Sequence, residues 1–336
     1  MWRAWIVALA LAIGAAAPSP TLSAAMIDRV VRKSVAEGFS GTVLVARGGR
    51  VILDRGYGLL HGVRMRRGTR YWISSTGKQF VAASILLLQQ QGKLSLDDPI
   101  ARFFPEAPLD KRAITVRQLL SHTSGIVQGY EGEESSSNAE AVRRILAVPL
   151  ETPRTHRFLY SNENYQLAAA VVERVSGLTY QRFERKHFFV PLGMNDTGIA
   201  GGPAGVAPTR EPTPDRLRKP NWGIEGHYST ASDLFRWYQA LRGGRVLGKS
   251  SLDQLWTAAV PIGEGEAALG WFITTTPRGT RRVWTRGNDD FGPNSLIYPY
   301  PDRDLVIVIL THAGQKNDDI SWSRALVGDL EAALAL

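Results

Sequence analysis

Strand-forming segments stand at both ends of this sequence and helix-forming segments fill its middle, so any sheet must be closed by pairing the two ends of the chain. Gly41 to Tyr57, GTVLVARGGRVILDRGY, alternates apolar and polar residues about Gly48-Gly49 and reads as a β-hairpin. Gly270 to Thr276, Arg281 to Thr285, Ser295 to Tyr298 and Leu305 to Thr311 read as strands separated by Gly, Pro and Asn/Asp turns. In the middle, Val116 to Ser121, Ala139 to Leu146, Tyr165 to Val175, Tyr180 to Lys186 and Ala231 to Leu241 repeat apolar residues at helical spacing. Met26 to Glu37 and Ile320 to Leu336 read as amphipathic helices at the two ends. The pattern predicts an α+β fold, an antiparallel β-sheet flanked by N- and C-terminal helices with a mainly helical insertion. Residues 26-100 and 226-336 are assigned to the sheet region and 101-225 to the insertion.

Residues 1-25 read as a signal peptide. Arg3 supplies positive charge, Trp5 to Ala17 is an apolar run, and Ser23-Ala24-Ala25 offers small residues for cleavage. The run is shorter than the roughly 20 residues that span a bilayer. The expectation is a periplasmic or secreted protein whose mature chain starts near Met26, with an uncleaved anchor as the alternative. The absence of cysteine excludes thiol nucleophiles, Cys-zinc sites, iron-sulfur ligation and disulfides. A formal charge of +9 invites a nucleic-acid reading, but the basic residues are scattered and mostly Arg, and export removes the chain from cytoplasmic nucleic acid. The expectation is no nucleic-acid partner, the excess charge instead suiting residence near anionic cell-envelope polymers.

A hydroxyl is a poor nucleophile at neutral pH unless a base stands beside it. Ser75-Thr76-Gly77-Lys78 lies between strand-like Tyr71-Trp72-Ile73 and the apolar helical run Phe80 to Gln91. That position sets Ser75 at a helix N-terminus, where the dipole favours developing negative charge, and the spacing of three puts Lys78 on the same face. A second motif, Tyr160-Ser161-Asn162, precedes the helical run Tyr165 to Val175. A tyrosine hydroxyl near a lysine ammonium is a candidate proton shuttle, and the Asn162 amide can both donate to and accept from a substrate amide.

With these motifs the chain resembles the serine β-lactamase and penicillin-binding-protein superfamily, specifically its class C β-lactamase-like group. The resemblance extends through Arg55-Gly56-Tyr57-Gly58, Gly92 to Pro99, Leu119-Leu120-Ser121-His122-Thr123-Ser124-Gly125, Pro191-Leu192-Gly193-Met194 and Ser229 to Leu234. It implies a β-lactamase/transpeptidase-like fold and a serine hydrolase working through an acyl-enzyme without metal or organic cofactor. Ser75 would carry the acyl group, Lys78 and Tyr160 would manage its proton, and Asn162 would contact substrate. The substrate would be a small molecule or a peptidoglycan-type peptide, and the bond an amide, β-lactam or ester.

The sequence departs from the family at its third motif, a Lys- or His-containing triplet ending in Gly, where Thr285-Arg286-Gly287 stands before Asn288. These three residues are the substrate-binding candidates on that strand. The backbone N-H groups of Ser75 and Asn288 are the oxyanion-hole candidates, since a backbone donor does not depend on the side chain. The cation expected at Thr285 is missing, and adjacent strand residues face opposite ways, so only a bulge or register shift would aim Arg286 inward. A catalytically silent binding or sensor domain retaining the fold is the alternative function. His122 reads as a structural residue bonded to nearby backbone, and His156 and His227 as scattered single histidines, so no metal site is expected. Glu134 and Asn138 have the spacing of a deacylating Glu-x-x-x-Asn loop but precede the tyrosine motif, and read as a polar loop at the cleft rim.

Overall fold

The computed structural model describes residues 22–133, 135–151, 157–199, 205–213 and 226–336. Most of the expected signal peptide, together with Glu134 and His156, lies outside the described residues. Helix α1 (Ala24–Ala36) is followed by hairpin strands β1 (Gly41–Arg47) and β2 (Arg50–Tyr57), then by the short strands β3 (Leu59–Leu60), β4 (Val63–Arg64) and β5 (Tyr71–Trp72). A 3-10 turn, Ser74–Gly77, leads into α2 (Lys78–Gln90). The middle carries α3 (Val116–Leu120), α4 (Asn138–Ala147), α5 (Asn162–Ser176) and α6 (Tyr180–Glu184), the last running on into a π-helical turn, Arg185–Phe189. Strands β6 (Gly198–Ile199) and β7 (His227–Ser229) precede α7 (Ala231–Arg242) and α8 (Lys249–Leu255). The chain then forms β8 (Val260–Ile262), β9 (Gly265–Ala267), β10 (Phe272–Thr275), β11 (Arg281–Asn288), β12 (Asn294–Tyr300), β13 (Leu305–Thr311) and α9 (Trp322–Leu334).

Eight of these strands form one antiparallel sheet in the order β2-β1-β13-β12-β11-β10-β9-β8. The two ends of the chain meet inside this sheet, where β1 pairs with β13 from Gly41 opposite Thr311 to Arg47 opposite Leu305. Because side chains alternate across a strand, Val43, Val45, Ile307 and Ile309 pack toward α1 and α9, through Ile27, Val31, Leu326 and Leu330. Leu44, Ala46, Val306, Val308 and Leu310 join the larger core on the other face, where α7 lies against β1 and β13. Burial on both faces explains why β13 reads LVIVILT with no polar alternation.

The larger core is built around α2, which packs against α5, α6 and α8. Every residue of α2 from Lys78 to Leu86 is buried, as a helix enclosed on all sides must be. Its first residue is Lys78, so the chain enters the helical layer directly from the nucleophile turn.

Several elements differ from the sequence expectation. Strand β5, read as strand-like from Tyr71-Trp72-Ile73, pairs in a separate three-stranded sheet with β7 and β6, whose two or three residues are too short to show a period. The same brevity hides the β8–β9 hairpin, whose first strand contains Pro261. The helix expected from Tyr180 to Lys186 ends as α-helix at Glu184 and changes to the π-helical turn. Asn138 does not sit in a rim loop: Ser137 caps α4 by accepting the Glu140 N–H, and Asn138 is the buried first residue of that helix. The cap of α1 is Ser23, which accepts the Met26 N–H at 3.3 Å, so the small-residue triplet expected as a cleavage site falls at this helix N-terminus.

Candidate active site

Strand β5 pairs with β7, and the Ile73 N–H then bonds to the His227 carbonyl at 2.9 Å. Ser74 follows with φ +48°, an uncommon conformation for a non-glycine residue, and its hydroxyl donates to the Asp289 carboxylate. This bend delivers Ser75 to the N-terminal approach of α2. Lys78 Nζ donates to Ser75 Oγ at 2.9 Å, and Tyr160 Oη lies 2.8 Å from the same oxygen. The Lys78 side chain is buried, its residue only 3% exposed, with Nζ 5.3 Å and 5.8 Å from the ring centres of Tyr160 and Tyr165. Ser75 Oγ therefore has two proton-handling groups within hydrogen-bond distance, the Lys78 nitrogen and the Tyr160 phenol.

Tyr160 is held from behind by His122, whose ring stacks on it at 4.5 Å between centres and 29° between planes. Burial, and then the Lys78 charge, pushes the His122 imidazole down to about 3. Its Nδ1 accepts the Ser161 N–H at 3.2 Å, so the neutral ring carries its proton on Nε2. His122 thus fixes the tyrosine and the turn that follows it. Asn162 opens α5; its own N–H donates to Gln128 Oε1 at 2.7 Å. The residue is 5% exposed, and among the described residues its Oδ1 finds no hydrogen-bond partner. A buried acceptor left open beside a cleft is placed to take a substrate N–H.

Strand β11 forms the opposite wall. Its register with β12 runs unbroken from Thr285 opposite Ile297 to Asn288 opposite Asn294. Thr285 is buried at the inner end of the cleft with Ser75, Lys78 and Tyr160. A Cβ on Gly287 would fall on the Ile73 carbonyl and lie 2.7 Å from Ser74 Cβ, so only glycine permits this strand to lie so close to the nucleophile turn. With no bulge or shift, Arg286 leaves β11 on the face opposite Thr285, yet its side chain borders the inner end of the cleft as well. Its guanidinium lies 5.5 Å from the Trp284 ring centre and lines the open end of the cleft with Arg324 of α9. Desolvation holds Arg286 below the usual arginine value, and Arg324 repels it further. Ser75 and Asn288 share the wall of the same cleft, about 550 Å³ in volume. Their N–H groups are the candidate oxyanion donors.

Residues that the sequence did not single out complete the cleft. Tyr130, half exposed with φ +58°, and Gln128 come from a loop tied to α5 where Gly129 N–H donates to Glu163 at 3.0 Å. Phe272 stacks on Trp284 at 4.7 Å. None of these carries a local motif; each reaches the site through tertiary packing.

A second buried histidine also supports the nucleophile turn. His312, at the end of β13, accepts the Trp72 N–H on Nε2 at 2.9 Å and bonds through Nδ1 to the Ala207 carbonyl at 3.1 Å. Burial holds its imidazole down to about 4. Both His122 and His312 have native values below the ordinary 6.5, so the unfolded chain takes up protons before the native one does. Stability is then fully present above pH 6.5 and falls as the pH drops toward the two native values. Urea midpoints should decrease between about pH 6.5 and 4.5, above most carboxylate titration. A midpoint flat over that interval would contradict the neutral burial of these rings.

A sequence model of the family described as Beta-lactamase matches residues 27–328. Penicillin-binding protein 4* of Bacillus subtilis (strain 168) is 27% identical over 333 residues, covering 88% of this chain and 72% of that protein. Other curated relatives are matched over a smaller share, down to 37% of their own length for the Staphylococcus aureus protein flp. Among solved structures, a D-stereospecific amidohydrolase from Streptomyces sp. is 26% identical with a TM-score of 0.74, covering 92% of this chain and 98% of that one. D-amino acid amidase from Ochrobactrum anthropi SV3 superposes with a TM-score of 0.82 at 22% identity, covering 93% and 98%, and shares the fold.

Proposed function

The chain belongs to the beta-lactamase family, and from that membership we propose a serine hydrolase that opens an amide bond through an acyl-enzyme on Ser75. The observation that carries the reading is the convergence of Lys78 Nζ at 2.9 Å and Tyr160 Oη at 2.8 Å on one serine oxygen. Ser75 Oγ attacks the carbonyl carbon while its proton passes to the Lys78–Tyr160 pair. The oxyanion that forms is met by the N–H groups of Ser75 and Asn288. The C–N bond breaks as the proton is returned to the leaving amine, giving the acyl ester. Water then attacks that ester, loses a proton to the same pair, and frees the acid and Ser75.

Arg286 and Arg324 at the open end of the cleft favour a leaving group that carries a carboxylate, and among the described residues neither forms an ion pair. The likeness to a D-stereospecific amidohydrolase supports a D-configured amide as the bond cleaved, and that to penicillin-binding protein 4* supports a site that accepts β-lactams. We therefore place a peptide ending in a free D-alanine carboxylate ahead of simple esters, with β-lactams as a related carboxylate-bearing class. Export, read from residues 1-25, would bring the enzyme to such peptides in the cell envelope.

The test compares an acyl-D-alanyl-D-alanine peptide, its C-terminal amide and a chromogenic ester. The free acid should show the lowest KM, and Arg324→Ala should raise that KM about 10-fold, the scale of one charged hydrogen bond, while leaving the C-terminal amide little changed. Turnover of the ester alone would replace this preference with an esterase.

A further inference from the structure

Beneath the nucleophile turn lies a buried polar cluster that the reaction just described does not use. His227 of β7 and Glu184 of α6 are both wholly buried, with His227 Nε2 at 3.1 Å and 3.2 Å from the two carboxylate oxygens. The Tyr180 hydroxyl donates to the same carboxylate. A carboxylate accepts only, so the hydrogen bond to Glu184 requires an N–H on His227 Nε2. Among the described residues Nδ1 has no hydrogen-bond partner.

That edge of the ring faces Gly77. A Cβ built on Gly77 falls on Nδ1 and lies 2.8 Å from Cγ and 3.0 Å from Cε1 of His227. The same residue's carbonyl receives the Ile73 N–H at 2.9 Å, and the Phe80 ring lies 5.4 Å from the imidazole. His227 therefore touches the segment around Ser75 from both sides, by main chain before it and by side chain after it. A buried ionisable pair is an expensive way to fill space, because apolar side chains of similar volume pack there at lower cost. What the pair provides is a ring fixed in orientation by Glu184 and Tyr180.

We propose that His227, oriented by Glu184, is a positioning residue that sets the height of the Ser75 turn against Lys78 and Tyr160. Gly77 stands in the Ser-x-x-Lys motif because the imidazole edge occupies the space of a side chain there. The inference rests on Ser75 being the nucleophile. Its effect belongs to acylation and not to substrate affinity, since Asn162 and Arg324 stand on other elements.

The experiment measures the rate of Ser75 labelling by a fluorophosphonate, together with kcat and KM, in His227→Gln, Gly77→Ala and the double variant. The glutamine amide can still donate to Glu184 but presents no ring edge to Gly77. His227→Gln should slow the labelling rate constant and kcat by 10- to 100-fold with KM within about twofold and the final labelling amplitude unchanged; a loss of folded protein would instead lower the amplitude and leave the labelling rate constant at the parental value. Gly77→Ala should label at least 100-fold more slowly than the parent, and the double variant should recover at least 10-fold of that loss, because the glutamine vacates the space the new Cβ needs. Folded His227→Gln labelling at the parental rate overturns the inference. If His227→Gln does not fold, Gly77→Ala decides, and parental labelling by that variant overturns it equally. Failure of the parent itself to label refutes the assignment of Ser75 instead.

Discussion

Ser75→Ala should emerge from fluorophosphonate treatment with its mass unchanged while the parent gains a single adduct, and its turnover should fall by about 1,000-fold or more. The size follows from the site's geometry. Both proton-handling groups converge on Ser75 Oγ, so without that oxygen they have nothing to activate and only the N–H donors and the cleft remain. Groups that act as one unit are not additive, so Ser75→Ala/Lys78→Ala should be no slower than Ser75→Ala. An adduct on Ser75→Ala would place the reactive serine elsewhere. No adduct on a correctly folded parent would support the silent binding domain, with the missing cation at Thr285 the first place to look.

Tyr160→Phe should lower amide turnover by about 100-fold or more, the scale of a lost proton-transfer group. Phenylalanine keeps the ring that stacks on His122 at 4.5 Å, so the change removes the hydroxyl and little else. In the proposed mechanism, protonation of the departing amine is the step most dependent on that hydroxyl. The loss should therefore be larger for an amide than for an ester with an activated leaving group, for which about 10-fold is expected. Equal losses for both would move the tyrosine from leaving-group protonation to activation of Ser75. Unchanged turnover would remove it from proton transfer altogether.

The parts of the molecule legible in the sequence are those whose physics is local or repetitive. Hairpin β1–β2, strand β13 and helix α2 each declare themselves through period, length or a glycine turn. Ser75 with Lys78, and Tyr160 with Asn162, are short-range motifs, although nothing local says that the two pairs meet. Arg286 could be read only conditionally: its pairing register with β12 is unbroken, yet tertiary packing beside Trp284 still brings its side chain to the cleft. Arg324 was one cation on an amphipathic helix until α9 packed beside β12 and brought it to the cleft. His227 read as a lone histidine for the same reason. Its partner Glu184 lies 43 residues away in sequence, and no periodicity connects a five-residue helix to a three-residue strand.

The pairing of β1 with β13 also governs when this protein can become active during its own synthesis. The strand pairs that neighbour each other in sequence, β1 with β2 and β12 with β13, can form early, but the seam joining Gly41 to Thr311 closes a loop spanning most of the chain. Closing such a loop is the entropically slow step in reaching a fold. A ribosome-bound chain that has exposed Ser75, Lys78 and Tyr160 still lacks β11, whose close approach at Gly287 forms the second wall beside Ser75. The nascent chain can therefore act as a hydrolase only after nearly all of it has emerged, whatever local hairpins have formed before then.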